Sequence, residues 1–214
     1  MEPPFATDED AIRRGDARPS AGLAGVILCG GQSTRMGVDK ATITLGGTTL
    51  LARAVAHLDE VCDPVLIAPG DTSMIFAGRQ SVADAVRDAG PLGGIVAALR
   101  ASPHPLLAVV AVDLPWIDPR LIRMLAALVG DCDAAVCETA GGVEPLHAVY
   151  SKTILGAAEA ALAGPDRSLR GLIARAKARR VTESEWRAAG ISEMFARNLN
   201  TPEDLAAVSP ETLR

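Results

Sequence analysis

A short apolar run that leads directly into a glycine-rich, cationic loop constrains this chain more than any other feature. Residues 24–40 read AGVILCGGQSTRMGVDK. The apolar part predicts a buried parallel strand that ends at the carboxyl edge of a sheet. The paired glycines Gly30 and Gly31 leave room for backbone N–H groups to surround an anion. Because Arg35 can bind a polyphosphate as a fork and Lys40 as a point charge, the stretch predicts a nucleotide triphosphate site.

Two common phosphate-binding motifs do not fit this loop. A P-loop requires Gly-Lys followed by Ser or Thr, whereas Lys40 is preceded by Asp39 and followed by Ala41. The dinucleotide fingerprint Gly-x-Gly-x-x-Gly does not match residues 30–35 either. A plain glycine turn between strand and loop is the alternative interpretation, and it accounts for fewer of these residue types at once.

Along the chain, predicted strands alternate with predicted helices. This pattern predicts an α/β fold: a Rossmann-like, doubly wound, mainly parallel sheet in a three-layer αβα arrangement. The most apolar run, residues 106–112, is predicted to be the central strand, so Asp113 would lie at its carboxyl end, where such sheets bind ligands. The predicted helices cover residues 50–59, 95–101, 119–128, 151–163 and 168–176, further strands are predicted at residues 61–68, 133–138 and 191–197, and an antiparallel edge addition is predicted over residues 144–150.

Composition and length limit the classes of function. The net charge is −5, aromatic residues are scarce and no basic run stands out, which argues against nucleic acid as a partner. No segment approaches the roughly 20 apolar residues of a membrane span. The first 21 residues are charged and lack the apolar core of a signal peptide, so we expect a disordered tail at 1–21, a single domain at 22–214 and a cytoplasmic protein.

The four cysteines are predicted to be small core side chains. They form no Cys-x-x-Cys pair and have no histidine at zinc-like spacing. The residues are Cys29, Cys62, Cys132 and Cys137.

Five segments resemble motifs of the molybdenum-cofactor guanylyltransferase (MobA) family of NTP transferases. Two are short: residues 112–115 resemble the family's C-D-x-P, with Val112 in place of Cys, and residues 144–147 resemble its x-P-L segment near the pterin. Residues 28–40 follow the pattern L-x-G-G-x-S-x-R-M-G-x-D-K, residues 90–95 resemble G-P-L-x-G-I, and residues 198–205 read NLNTPEDL, like the family's N-x-N-T-P-E-D-L. The resemblance covers about residues 24–205, with the motifs in the family's order. It implies the fold of the nucleotide-diphospho-sugar transferases.

The resemblance implies an enzyme that transfers GMP from GTP to the terminal phosphate of molybdenum-bearing molybdopterin, giving a guanine dinucleotide and pyrophosphate. Arg35, Lys40 and Asp113 would be catalytic, with Asp113 holding Mg²⁺ against the phosphates. An Asp before an X-Pro turn can also be a helix N-cap, which is the other interpretation of Asp113. Implied protein partners are molybdoenzymes or other cofactor-biosynthesis proteins. The alternatives are a cytidylyl- or guanylyltransferase for another phosphorylated small molecule and a non-catalytic nucleotide-binding regulator.

The resemblance also assigns binding residues. Asp84 would contact the nucleoside, with nearby Asp88 as an alternative and a solvated surface position as the other interpretation. Asn198 and Asn200 would bind the pterin from one face of a strand, although a cap-and-turn role also explains them. His147 on an apolar strand is interpreted as a core histidine. The nucleotide-binding set is Leu28, Cys29, Gly30, Gly31, Lys40, Asp84, Pro91, Leu92, Gly93 and Asp113.

Two positions bear on how the base is recognised. Many family members carry an Asn-Arg pair after the second strand, where this chain has Ala68-Pro69-Gly70. Cytidylyltransferase relatives typically have L-A-A-G at the start of the loop, whereas this chain has Gly30 in place of the second alanine. The hypothesis is that the missing methyl group makes room for a purine.

Overall fold

The computed structural model describes residues 22–30, 40–70, 78–84, 86 and 89–208. Its strands are β1 (Leu23–Leu28), β2 (Thr44–Leu45), β3 (Thr48–Thr49), β4 (Val65–Ala68), β5 (Leu106–Ala111), β6 (Ala134–Thr139), β7 (Gly142–Ser151) and β8 (Ala178–Val181). β2 and β3 form a small hairpin, and the other six form one sheet in the order β4-β1-β5-β7-β6-β8. β1 pairs in parallel with β4 and β5, whereas β7 is antiparallel to both of its neighbours. The prediction of a mainly parallel sheet with residues 106–112 near its centre is confirmed.

Helices cover both faces of the sheet. They are α1 (Leu50–Asp59), α2 (Pro91–Ala101), α3 (Pro119–Leu128), α4 (Leu155–Ala163), α5 (Leu169–Arg175), α6 (Glu183–Ala188) and α7 (Pro202–Ala206). One apolar core joins the sheet to α1, α3 and α6, and a second core joins its other face to α2, α4 and α5. Two cores on opposite faces of one sheet make a three-layer αβα fold, as the sequence predicted.

Capping residues explain why two helices have the predicted bounds. The Thr49 side chain accepts a hydrogen bond from the Ala52 N–H at 3.1 Å, which caps α1. Asp118 caps α3 in the same way, and Pro119 occupies its first turn, where no N–H is needed. These signals are local, so they can be recognised without knowledge of the fold.

Five predictions of secondary structure are wrong. Among them, the strand predicted at residues 61–68 begins at Val65, and the helix predicted at residues 151–163 begins at Leu155. The antiparallel strand is not at the sheet edge, because β7 lies between β5 and β6 and buries Ala148, Val149 and Tyr150. The predicted strand at residues 191–197 is a 3-10 turn over Glu193–Ala196, with Ser192 as its cap. Helix α2 begins at Pro91, four residues earlier than predicted, because proline fits a first helical position.

Two of the four cysteines are buried and two are partly buried. Cys62 and Cys137 are buried, and burial raises the pKa of each thiol to about 12, so both stay protonated at neutral pH. Cys29 and Cys132 are partly buried. Within the described ranges no helix is both long enough and apolar enough to cross a membrane.

Candidate active site

The carboxyl ends of three parallel strands form the floor of the candidate site. The pairing of β1 continues one residue past the strand on both sides, because the Cys29 N–H donates to the Ala68 carbonyl at 2.9 Å and the Val112 N–H donates to the Leu28 carbonyl at 3.0 Å. The loops after β1, β4 and β5 therefore begin side by side. This is the edge at which open α/β sheets bind ligands.

Lys40, Asp113 and Asn200 meet at this edge. The Lys40 ammonium (Nζ) lies 2.8 Å from Asp113 Oδ2 and 2.8 Å from Asn200 Oδ1. Lys40 lies 73 residues before Asp113 and 160 residues before Asn200, so the fold alone brings them together. The Lys40 and Asp113 side chains are each 20% exposed, which leaves both within reach of a ligand. The cluster provides one cation, one carboxylate and one amide.

The backbone fixes the third member of this cluster. The Leu199 N–H donates to the Asp113 carbonyl oxygen at 2.9 Å, and the Leu199 side chain is buried. Asn198 and Asn200, on either side of it, are both exposed. Residues 197–200 form neither helix nor strand, so the predicted strand is absent. Asn200 lies in the cluster, and the assignment of both asparagines to the pterin stays a prediction.

Three predicted residues, Gly31, Arg35 and Asp88, lie outside the described residues. Two others, Leu28 and Leu92, have their side chains in the core, so only their backbones could contact a nucleotide. The sequence did not show which of the residues assigned to the nucleotide have their side chains buried in the core.

Asp84, Gly93 and Gly94 are packed closely at the start of α2. A methyl group on Gly93 would lie 3.0 Å from Asp84 Oδ2, and one on Gly94 would lie 2.9 Å from Leu28 Cδ2. The glycines therefore let α2 approach both the Asp84 carboxylate and the end of β1. Asp84 is half-buried against this turn, so the interpretation as solvated surface is wrong.

Gly30 has a steric reason to be glycine that the sequence did not reveal. A methyl group at this position would lie 2.8 Å from the Gly70 Cα atom, inside any normal contact distance. Gly70 itself has a φ angle of 66°, a conformation that other residues rarely adopt. The segment Ala68-Pro69-Gly70, which stands where many family members carry an Asn-Arg pair, therefore contacts Gly30 closely through the backbone of Gly70. The role of Gly30 in base choice remains a hypothesis beside this packing role.

Replacing Gly30 by alanine is expected to lower the free energy of unfolding by about 1–3 kcal/mol, because the added methyl group must displace the Gly70 backbone. Thermal unfolding measures this loss. Gly156→Ala is the matched control, since this glycine lies in α4 and a methyl group there would contact nothing within 4 Å. Equal melting temperatures for Gly30→Ala and the wild type would contradict the contact.

Glu144 is a second acidic side chain near the cluster that the sequence analysis did not assign. It lies in β7 opposite Cys137, and its Oε1 accepts a hydrogen bond from the Leu146 N–H at 2.8 Å. Burial raises the pKa of Glu144, and the nearby Asp113 carboxylate adds to the increase, although the Leu146 N–H and Arg170 oppose it. It lies three residues after the turn at residues 140–141, in a segment that resembles a family motif but to which the sequence assigned no acidic role.

His147 is fully buried in β7, as the core interpretation predicted. Its Nδ1 atom lies 3.3 Å from the Phe195 carbonyl oxygen, and its ring contacts the Phe195 ring edge-on, with 5.4 Å between centroids. Burial lowers the pKa of His147 to about 4, although the Phe195 carbonyl and Asp118 oppose this decrease. His147 is therefore neutral at pH 7.

This buried histidine is expected to make the protein less stable in acid. Between its ordinary pKa of 6.5 and its folded pKa of about 4, the unfolded chain binds a proton that the fold does not, so stability falls as the pH falls through that window. The loss should approach about 3 kcal/mol at pH 4. Urea unfolding of wild type and His147→Asn from pH 7 to 4 measures it, with His104→Asn as the control. The same acid loss in all three proteins would contradict the prediction.

The mainly parallel sheet, with a lysine, a carboxylate and an amide gathered at its carboxyl edge, defines an α/β protein of the nucleotide-handling class. Comparison with known families is more specific. Residues 25–181 match the MobA-like NTP transferase domain, and the chain belongs to that family.

Relatives and solved structures agree with this assignment. The chain is 35% identical over 182 residues to a probable molybdenum cofactor guanylyltransferase of Pelotomaculum thermopropionicum. The aligned region covers 85% of this chain and 89% of the relative. A protein of the same description from Opitutus terrae is 36% identical over 197 residues, with 86% and 94% covered. Molybdopterin-guanine dinucleotide biosynthesis protein A of Archaeoglobus fulgidus shares the fold, with a TM-score of 0.74, 23% identity and coverage of 86% of this chain and 95% of that one.

Proposed function

We propose that this protein is a molybdenum cofactor guanylyltransferase, which transfers GMP from GTP to the terminal phosphate of molybdopterin. The observation that carries the proposal is the convergence of Lys40, Asp113 and Asn200 at the carboxyl edge of the sheet. Family membership and the guanylyltransferase relatives support the choice of reaction. In this reaction a phosphate oxygen of molybdopterin bonds to the α-phosphorus of GTP, the bond from that phosphorus to the β-phosphate oxygen breaks, and pyrophosphate leaves.

The chain's own residues have separate tasks in this reaction. A phosphate monoester is already ionised at neutral pH, so the nucleophile needs no general base, and the neutral, buried His147 is not required as one. Lys40 would neutralise charge on the phosphates, with Arg35 as a second cation. Asn200 would hold the lysine in place, because its amide oxygen accepts from the ammonium at 2.8 Å. Catalysis by positioning and charge neutralisation needs no nucleophilic triad.

The donor set fits a divalent cation that is shared with the substrate, and we propose Mg²⁺. Among the described residues no group of three His, Cys, Asp or Glu side chains could hold a metal by itself. Mg²⁺ characteristically binds through one or two carboxylates together with substrate phosphates and water. Asp113 would hold it, with the Asn200 amide oxygen close by. When bound, the cation would neutralise charge on the phosphates and on the leaving pyrophosphate.

Before any ligand binds, Asp113 is paired with Lys40, and both groups are partly exposed. A nucleotide that arrives with its cation would exchange this internal ion pair for two pairs with the ligand: the ammonium with phosphate oxygens and the carboxylate with the cation. Each of the two groups keeps one contact of opposite charge, so the exchange need not leave either group unpaired in a partly dry site. GTP and molybdopterin would thus be the small-molecule partners, and molybdoenzymes or other cofactor-biosynthesis proteins the protein partners.

Isothermal titration with GTP, CTP and ATP, each with MgCl₂, tests the nucleotide half of the proposal. We expect GTP to bind most tightly and its affinity to fall in Lys40→Ala but not in Lys177→Ala. Lys177 is a suitable control because it forms a similar ion pair, with Asp131, on the open surface. Tighter binding of CTP than GTP would contradict the choice of base and favour a cytidylyltransferase.

A further inference from the structure

The segment that carries the two asparagines to the site has little regular structure of its own. We call residues 192–200 the C-terminal strap. It begins with the 3-10 turn Glu193–Ala196 and continues without helix or strand to Asn200. Its path must therefore be fixed mainly by contacts with the rest of the protein.

Three such contacts lie towards the end of the strap. The Leu199 N–H donates to the Asp113 carbonyl, and Asn200 accepts from Lys40. The Arg197 guanidinium also lies over the Trp116 ring, 5.6 Å from its centroid. Each of these contacts joins the strap to a residue of the site or to the loop that follows Asp113.

The contact at the start of the strap is buried and polar. The Phe195 carbonyl lies 3.3 Å from His147 Nδ1, and both residues are about fully buried. Because a carbonyl oxygen can only accept, Nδ1 must carry the ring proton. If this donor were removed, the buried Phe195 carbonyl would have no hydrogen-bond partner, because water could not replace the donor. The histidine therefore holds the strap more firmly than an apolar residue of the same size would.

His147 also connects the strap to the strand that delivers Asp113. In the sheet it pairs with Val110 of β5, three residues before Asp113. His147 thus lies beside β5, which leads to Asp113, and its ring is hydrogen-bonded to the strap, which carries Asn200. The geometry points to His147 as a positioning residue: its hydrogen bond to Phe195 sets the place of Asn200 relative to Lys40 and Asp113.

The surroundings of the His147 ring keep it in the neutral form. The charged and titratable groups that act on the ring are the Asp118 carboxylate and His57. Burial lowers the pKa of His147 and outweighs the opposing effect of Asp118, whereas His57 acts in the same direction as burial. Asp118 is already bound by Arg120 at 2.7 Å, so it offers the ring no close ion pair. Nε2 makes no hydrogen bond of normal geometry among the described residues, although the Asp118 backbone also acts on the ring and opposes the decrease in its pKa. The neutral ring with its proton on Nδ1 is therefore the form that holds the strap.

Substitutions at this position can separate the hydrogen bond from the ring's volume. His147→Asn places an amide donor where Nδ1 was, His147→Gln places its amide nearer to Nε2, and His147→Leu removes the donor. Hydrogen exchange of the peptide that contains residues 192–200 reports directly on the strap, whatever reaction the protein catalyses. We expect exchange to rise about tenfold or more in His147→Leu and His147→Gln and to stay near the wild-type rate in His147→Asn.

The effect on turnover rests on the proposed function and is measured separately. We expect kcat for guanylyl transfer to fall about tenfold in His147→Leu and His147→Gln, with little change in the KM for GTP, and to recover in His147→Asn. If His147→Leu does not fold, the comparison of the Asn and Gln variants carries the test. Wild-type exchange in the Gln variant, or equal exchange in the Asn and Gln variants, would overturn the inference. A wild-type protein without turnover would instead count against the proposed function.

Discussion

Replacing Asp113 by asparagine is expected to reduce guanylyl transfer by about 10³-fold while leaving the fold intact. The substitution keeps the size of the side chain and the backbone carbonyl that accepts from Leu199, but it removes the charge that pairs with Lys40 and that would hold the cation. A loss of this size is typical when a preorganised charge is removed from a reacting phosphate or acyl group. Steady-state rates with saturating GTP, at several concentrations of MgCl₂, measure it.

Asp131→Asn is the matched control for this variant. Asp131 also pairs with a lysine, but its side chain is 88% exposed, against 20% for Asp113. Exposed ion pairs contribute little to stability, so the control should melt and turn over like the wild type. Turnover of Asp113→Asn within a few-fold of the wild type would leave the carboxylate without a catalytic role. The interpretation of Asp113 as a helix cap is already wrong, because Asp118 caps the helix that follows.

Lys40→Ala is expected to reduce turnover by about 10²-fold or more, because one of the charges that stabilise the triphosphate is lost. The ammonium is held by two oxygens at 2.8 Å, so it is already placed before substrate binds. Pyrophosphate release under saturating GTP and molybdopterin measures the change. Lys177→Ala should keep the wild-type rate.

The double variant Lys40→Ala, Asp113→Asn gives a further test of the pair. Residues in direct contact act together, so the combined loss should be smaller than the product of the two single losses. Strict multiplication of the two effects would mean that the ion pair does not act as a unit. Wild-type turnover in Lys40→Ala alone would remove the lysine from the mechanism.

Much of the fold could be predicted because its signals are local. The bounds of α1 and α3 follow from the capping residues Thr49 and Asp118 and from a regular apolar face. The central position of β5 follows from an apolar run without alternation, which only a strand covered on both faces requires. Asp113 could be placed at the sheet edge for the same reason. Lys40 could be placed there because the loop that carries it starts from β1.

The elements that were predicted wrongly are those that tertiary contacts decide. β7 looked like an edge strand, but only the sheet order reveals that β5 and β6 lie on either side of it. Residues 178–181 contain two arginines and little apolar pattern, so the edge strand β8 gave no signal. In the strap, Phe195 and Leu199 are buried by packing against β7 and the loop after β5, and short apolar patterns do not distinguish a strand from a 3-10 turn.

Within the site, sequence could name the residues but not their relations. The motif around Asn198 and Asn200 predicted that both asparagines serve the site, yet the bond from Lys40 to Asn200 spans 160 residues and depends on the whole fold. The segment from Glu144 to His147 resembled a family motif, but neither a role for Glu144 nor the hydrogen bond of His147 could be predicted, because both depend on contacts with distant parts of the chain. The sequence analysis singled out Gly30 for the choice of base. Its contact with Gly70 could not be predicted, because that contact joins two loops that are distant in sequence.

Incubation of the purified protein with molybdopterin, MgCl₂ and GTP labelled on the α-phosphate tests the central claim most directly. We expect the label to enter a molybdopterin guanine dinucleotide with release of one pyrophosphate. We expect this transfer to fall about 10³-fold in Asp113→Asn and about 10²-fold or more in Lys40→Ala, and to keep the wild-type rate in Asp131→Asn and Lys177→Ala. Transfer of label from CTP in place of GTP, or no transfer to molybdopterin by a folded protein that binds GTP, would contradict it.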